Sequence, residues 1–101
     1  MIDAMPTREG ILDELKRLKP ELSRRFGVRR IGLFGSFVRG DAGAESDIDV
    51  VIELEEPDLF ALVHIKETLE DDLGRKVDVI PFGPLMNGFL KMRIQSEAVY
   101  V

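Results

Sequence analysis

Asp47 and Asp49 stand one residue apart at the head of the apolar run DIDVVIEL, and Asp78 interrupts a second such run, KVDVI. In an extended chain, residues i and i+2 project from the same face. Ile48, Val50, Ile52 and Leu54 therefore form the core-seeking face of the first run, and Asp47, Asp49, Val51 and Glu53 the other. In the second run Val77 and Val79 face one way, and Asp78 faces the other between Lys76 and Ile80. Aspartate is disfavoured in strands, and like charges sharing a face repel. If the two runs pair side by side, the carboxylates of Asp47, Asp49 and Asp78 converge and call for a counter-charge. Magnesium is the natural one: a hard cation, it prefers carboxylate oxygens and keeps positions for water and phosphate. A pair of such ions outweighs the charge of the triad, and the surplus suits an anionic nucleotide. The plainer alternative makes Asp47 a turn residue at a strand entrance and puts Asp49 and Asp78 on a solvated face.

Upstream, LFGSFVRG leads an apolar strand into a Gly-Ser turn that opens a short helix. Gly35 permits unusual dihedrals and close backbone approach. Free N–H groups at a helix start attract phosphate, and the Ser36 hydroxyl adds a donor and an acceptor. Arg39, one turn on, is placed to reach phosphate or to anchor the loop before the carboxylates. Alone, a Gly-Ser pair is an ordinary tight turn. Followed after ten residues by an Asp-x-Asp strand, and later by an isolated strand aspartate, it sets a phosphate cradle beside metal carboxylates. Nucleotidyl transfer needs that arrangement.

The elements that must position these groups are legible in outline. TREGILDELKRLK places Ile11, Leu12, Leu15 and Leu18 at helical spacing, with Thr7 as N-cap. Pro20 is expected to begin a second short helix, PELSRRF, that Gly27 ends. VRRIGLF reads as a strand with an irregularity at Gly32, and DAGAES as a loop. After DIDVVIEL, Pro57 breaks the strand and Asp58 caps a helix from about residue 59 to 73, striped by Leu59, Leu62, Ile65, Leu69 and Leu73 and stopped by Gly74. RKVDVIP is a further strand, PLMNGFLKMRIQSEA a last helix weakened at Gly88, and AVYV a terminal strand. His64 falls on a helix surface and Tyr100 among packing residues. The order predicts a single α/β (α+β) domain over residues 1–101, a small sheet flanked by helices.

Composition narrows the function. At 101 residues the chain has room for one core and little for a second lobe to hold a large acceptor. With no cysteine, thiolate metal sites are excluded, and with His64 the single histidine an imidazole-based site is disfavoured, so any metal chemistry is expected to use oxygen ligands. MIDAMPTREG lacks the basic flank and apolar core of a signal peptide, and no apolar run reaches the roughly 20 residues of a membrane span. A cytoplasmic setting and no membrane partner are expected. Residues 1–39 carry nine Lys/Arg against five Asp/Glu, whereas residues 40–72 carry one against twelve. That acidic middle, which includes a solvated set at Glu55, Glu56, Glu70, Asp71 and Asp72, argues against strong nucleic-acid binding.

Taken whole, GSFVRGDAGAESDID resembles the signature of the nucleotidyltransferase superfamily related to DNA polymerase β, and most of all its minimal nucleotidyltransferase (MNT) domains. The matching positions are Gly35, Ser36, Arg39, Gly40, Ser46, Asp47 and Asp49, and the third carboxylate falls on Asp78. The resemblance implies the polymerase β-like fold, a mixed sheet flanked by helices. It implies Mg²⁺ held by Asp47, Asp49 and Asp78, phosphates held by Gly35 and Ser36, and ATP as the usual nucleotide. It further implies a partner, since small MNT proteins commonly act as antitoxins to HEPN-domain toxins and adenylylate a tyrosine of that ribonuclease. Such a partner would bring the acceptor that so short a chain cannot hold. The alternatives are an antitoxin acting by binding alone, a small-molecule nucleotidyltransferase with its pocket between subunits of a homo-oligomer, and a template-independent RNA polymerase.

Overall fold

The computed structural model describes residues 6–101, so the expectation for MIDAM lies outside the described residues. The elements are α1 (Arg8–Phe26), β1 (Val28–Phe34), α2 (Ser36–Arg39), β2 (Ile48–Leu54), α3 (Leu59–Leu73), β3 (Val77–Pro81), α4 (Gly88–Glu97) and β4 (Val99–Tyr100). The sheet runs β3-β2-β1-β4. β1 is antiparallel to both β2 and β4, while β2 and β3 are parallel, so the sheet is mixed as expected. A parallel pair needs a crossover, and α3 supplies it.

The expected break at Pro20 is absent: α1 is one helix of 19 residues with Pro20 inside it. The apolar stripe explains this. Ile11, Leu15, Leu18 and Leu22 continue at helical spacing through the proline and are all buried. Burial of Leu22 outweighs the missing proline N–H, whose ring faces solvent. Thr7 Oγ1 accepts from the Gly10 N–H at 3.0 Å, and Gly27, at φ 71°, closes the helix by donating to Ser23 O. Because Pro20 removes a helical hydrogen bond at an exposed position, Pro20→Ala is expected to raise stability by roughly 1–2 kcal/mol. A higher urea midpoint at unchanged m-value checks this, and a lower midpoint refutes it.

Helices α1 and α3 cover one face of the sheet, where Ile11, Leu15, Leu22, Ile65 and Leu69 meet Ile31, Leu33, Ile48, Val50 and Ile52. Arg17 joins the helices outside the core, its Nη2 donating to Asp72 at 2.8 Å. The opposite face is not bare. Phe34, Val51 and Ile94 form a second buried cluster, with Ile80, Phe82, Met86, Leu90, Ala98 and Tyr100 around it. Helix α4 thus covers the side of β2 that also carries the aspartates. It begins later than the sequence suggested: Asn87 Oδ1 accepts from the Phe89 and Leu90 N–H groups, and Gly88 is the first helical residue rather than an interior weakness.

Two further expectations are corrected or explained. Leu59 does not join the α3 stripe; it is 79% exposed in the first turn, beside a groove of about 830 Å³ that also takes in Pro57, Leu62, Phe82, Leu85 and Met86. Ala61, Ile65 and Leu69 are the buried residues of that helix. Gly32 leaves β1 intact, and a Cβ there would lie 2.8 Å from the Tyr100 ring and 3.0 Å from Val99 O. The glycine is what lets β4 close on β1, with Arg30 stacked over Tyr100 at 4.0 Å. His64 is exposed and stacks on Phe26.

Candidate active site

Strand directions gather the predicted residues at one end of the sheet. β1 runs toward that end and finishes at Phe34, while β2 and β3 both start there. In the parallel ladder Asp49 is the register partner of Asp78, and Val51 of Ile80. Asp49 and Asp78 therefore share the α4 face on strands about 4.8 Å apart. Asp47 lies just before β2, on the same alternation as Asp49. Asp47 and Asp78 are exposed, and Asp49 is half-buried between them.

The approach to Asp47 is fixed by contacts that no spacing rule reveals. Arg75, just before β3, donates from Nη1 to Ala44 O at 3.2 Å and Ser46 O at 3.0 Å, and its guanidinium faces the Phe37 ring. Ser46 Oγ accepts from the Gly43 N–H at 2.8 Å, so the small-residue loop is closed on itself. Ile48 N–H donates to Lys76 O, joining the starts of β2 and β3. Glu70, expected to be merely solvated, accepts from Lys66 Nζ at 2.8 Å and from the Val77 N–H at 3.0 Å. Those two donors hold its carboxyl below the usual range, and through Val77 it sets the backbone beside Asp78.

Gly35 makes the turn from β1 into α2 with φ 81° and ψ −150°, a conformation essentially confined to glycine. A Cβ there would lie 2.3 Å from Asp49 Oδ2, so the missing side chain is the space the carboxylate occupies. Ser36 follows as the first residue of α2, half-buried, its carbonyl accepting from the Gly40 and Asp41 N–H groups. Arg39 is tied on two sides: Nε donates to Asp41 at 3.2 Å, and Nη1 donates to Glu97 Oε1 at 2.9 Å. Asp41 first, and Glu97 after it, raise the pKa of that guanidinium. Glu97 Oε1 also accepts the Gly35 N–H at 3.2 Å. Glu97 and Arg93, both on α4, were absent from the sequence expectation; the second core cluster brings Glu97 to Gly35 across 62 residues of chain, and Arg93 lies 3.7 Å from the other Glu97 oxygen.

The electrostatics bear on a cation. Burial, then the neighbouring charges of Asp78 and Asp47, push the Asp49 carboxyl above its ordinary value, and Arg39 and Arg93 oppose this only in part. Among the described residues, no three carboxylate or imidazole groups stand close enough to enclose an ion as a finished ligand set. The donor chemistry nevertheless fits one. Asp49 and Asp78 offer hard oxygens from paired strands, Asp47 extends the row toward solvent, and the mutual repulsion that raises Asp49 is what a divalent cation relieves. No described helix is long and apolar enough to cross a membrane.

Comparison with known proteins bears on the family and the fold. A nucleotidyltransferase domain profile matches residues 15–101. The chain is 44% identical over 99 residues to the protein adenylyltransferase MntA of Thermococcus cleftensis, a match that covers 97% of this chain and 99% of that protein. Among solved structures, a candidate minimal nucleotidyltransferase superposes with a TM-score of 0.75 at 28% identity, over 96% of this chain and 98% of the other. The MNT antitoxin complex with a tri-AMPylated HEPN toxin of Shewanella oneidensis contains a chain of the same fold, with a TM-score of 0.68 at 17% identity, over 93% of this chain and 71% of that one.

Proposed function

Because the chain belongs to the nucleotidyltransferase domain family, we propose that it transfers AMP from ATP to a hydroxyl of a HEPN-type toxin, and so acts as an adenylyltransferase antitoxin. One observation carries the assignment of the site: Asp49, paired in register with Asp78, fills the space left by the missing side chain of Gly35. A turn suited to phosphate and a row of carboxylates thereby share one end of the sheet. The identity to an adenylyltransferase across nearly the whole of both chains supports the choice of AMP as the group transferred.

Asp47, Asp49 and Asp78 would hold magnesium, which when bound neutralises phosphate charge and makes the acceptor hydroxyl more acidic. The turn at Gly35 and Ser36 orients the triphosphate tail, and Arg39 contacts it from the side. Asp78, the exposed member of the register pair, takes the proton of the attacking hydroxyl on its carboxylate. The acceptor oxygen forms its bond to the α-phosphorus as the bond from that phosphorus to pyrophosphate breaks, and pyrophosphate leaves with the electron pair. Alignment and charge placement are the protein's main contributions.

An acceptor carried by another protein also suits the surface. Leu59, Phe60, Leu85, Phe89 and Met92 are each at least 70% exposed, and where such side chains adjoin they favour contact with a partner. The test uses α-labelled ATP, Mg²⁺ and a HEPN protein mixed with the purified chain. Label on the partner that is lost on chelation is expected. Neutralisation of the toxin with no label transferred would instead establish an antitoxin acting by contact alone.

A further inference from the structure

The donors assigned to the triphosphate are already engaged. Glu97 Oε1 accepts both the Gly35 N–H, at 3.2 Å, and Arg39 Nη1, at 2.9 Å. Its other oxygen, Oε2, lies 3.7 Å from Arg93 Nη2. The Glu97 side chain is 22% exposed, against 40% for Arg39 and 53% for Arg93, so the carboxylate sits inside the ring of its donors. A main-chain N–H and a guanidinium converging on one anionic oxygen form the donor set that also receives a phosphate oxygen. The Gly35 N–H has a single hydrogen, so a good bond to phosphate requires Glu97 to give it up.

We propose that Glu97 is a built-in phosphate mimic: it occupies the anion seat of the nucleotide-free chain and is displaced by the incoming triphosphate, and thereby sets nucleotide affinity. This rests on the assignment of the Gly35 turn as the triphosphate seat. Arg93 gives the displaced carboxylate somewhere to go. It lies four residues earlier on α4, on the same helix face, and is already near Oε2. On exchange Arg39 loses the Glu97 bond while keeping Asp41, and its freed Nη1 turns to phosphate. The contact has a use before nucleotide arrives. It satisfies a donor on the buried glycine and holds the end of α4 against the turn, so the seat is formed in advance.

The alternative is that Glu97 only orients Arg39, and the two make opposite predictions. Binding of a non-hydrolysable ATP analogue with Mg²⁺ is measured by calorimetry for wild type, Glu97→Gln and Glu97→Asp. Both variants are expected to bind more tightly, on the order of tenfold for Glu97→Gln, since a charge-assisted competitor is removed. The aspartate keeps the charge but is one methylene too short to reach the Gly35 N–H. Unchanged or weaker binding by Glu97→Gln overturns the proposal, and so does a gain by Glu97→Gln with none by Glu97→Asp, which would mark simple charge repulsion. If neither wild type nor variants bind, the triphosphate seat itself is misassigned and the proposal falls with it. Should the variants fail to fold, the side-chain carboxyl ¹³C resonance of Glu97 in wild type decides: it is expected to shift on saturation with inorganic pyrophosphate, and an unmoved resonance overturns displacement.

Discussion

Asp49→Asn is expected to slow nucleotidyl transfer by roughly a thousandfold or more, and at the same time to raise the melting temperature at neutral pH. Both effects come from the position of the side chain. Asp49 is half-buried, is the register partner of Asp78, and lies against Gly35. In the proposed ligand role it is the member of the acidic row closest to the Gly35 turn, so the amide that replaces it would lose the charge where nucleotide and cation are proposed to meet. As part of the fold it is a liability. Burial and the charges of Asp78 and Asp47 raise its pKa above the unfolded value. A carboxyl raised on folding disfavours the folded chain wherever the group is ionised. That penalty builds up as pH rises through the interval between the unfolded and the raised folded pKa, and it is absent below both. The stability gain of Asp49→Asn should therefore be full at pH 7 and shrink as pH falls through the carboxylate range. Thermal melts across that range, without divalent cations, measure it. A variant less stable than wild type at pH 7, or one that transfers label at the wild-type rate, contradicts the assignment.

The same balance explains what could be read from sequence. The acidic row was legible because it breaks a rule: aspartates at alternate positions in strands are unfavourable without a purpose, and strand alternation puts Asp47 and Asp49 on one side whatever the fold. Register did the rest, pairing Asp49 with Asp78. Local capping was equally legible, since Thr7, Asp58 and Gly74 act within a few residues of themselves. Pro20 was misjudged because a local propensity was weighed without the burial of Leu22 two residues on. Val51 was assigned to an outer face, yet it is fully buried, because α4 returns from the far end of the chain to cover it. That return also brings Glu97 to Gly35 and Arg39, and Arg75 reaches the loop before Asp47 from 29 residues away. No periodicity links such pairs. Strand and cap chemistry is written locally, whereas the contacts that hold the site's loops come from tertiary packing.

Gly35→Ala tests whether turn and carboxylate form one unit. The substitution meets two separate obstacles. The backbone, at φ 81° and ψ −150°, lies where an alanine is strained by roughly 1–3 kcal/mol. The new Cβ would also lie 2.3 Å from Asp49 Oδ2 and 3.1 Å from its Cγ, so the side chain must move. Together they should lower stability by roughly 2–4 kcal/mol and abolish measurable transfer. Combining the change with Asp49→Ala separates the two. That second substitution removes Oδ2 and Cγ but leaves the Asp49 Cβ position, 3.3 Å from the added methyl. The collision is relieved and the backbone strain is not. The double variant is therefore expected to be more stable than Gly35→Ala alone and still inactive, with a coupling free energy of about 1 kcal/mol or more in the double-mutant cycle. Strict additivity would mean that Asp49 does not occupy the space beside Gly35, and the shared seat for phosphate and cation would lose its structural basis.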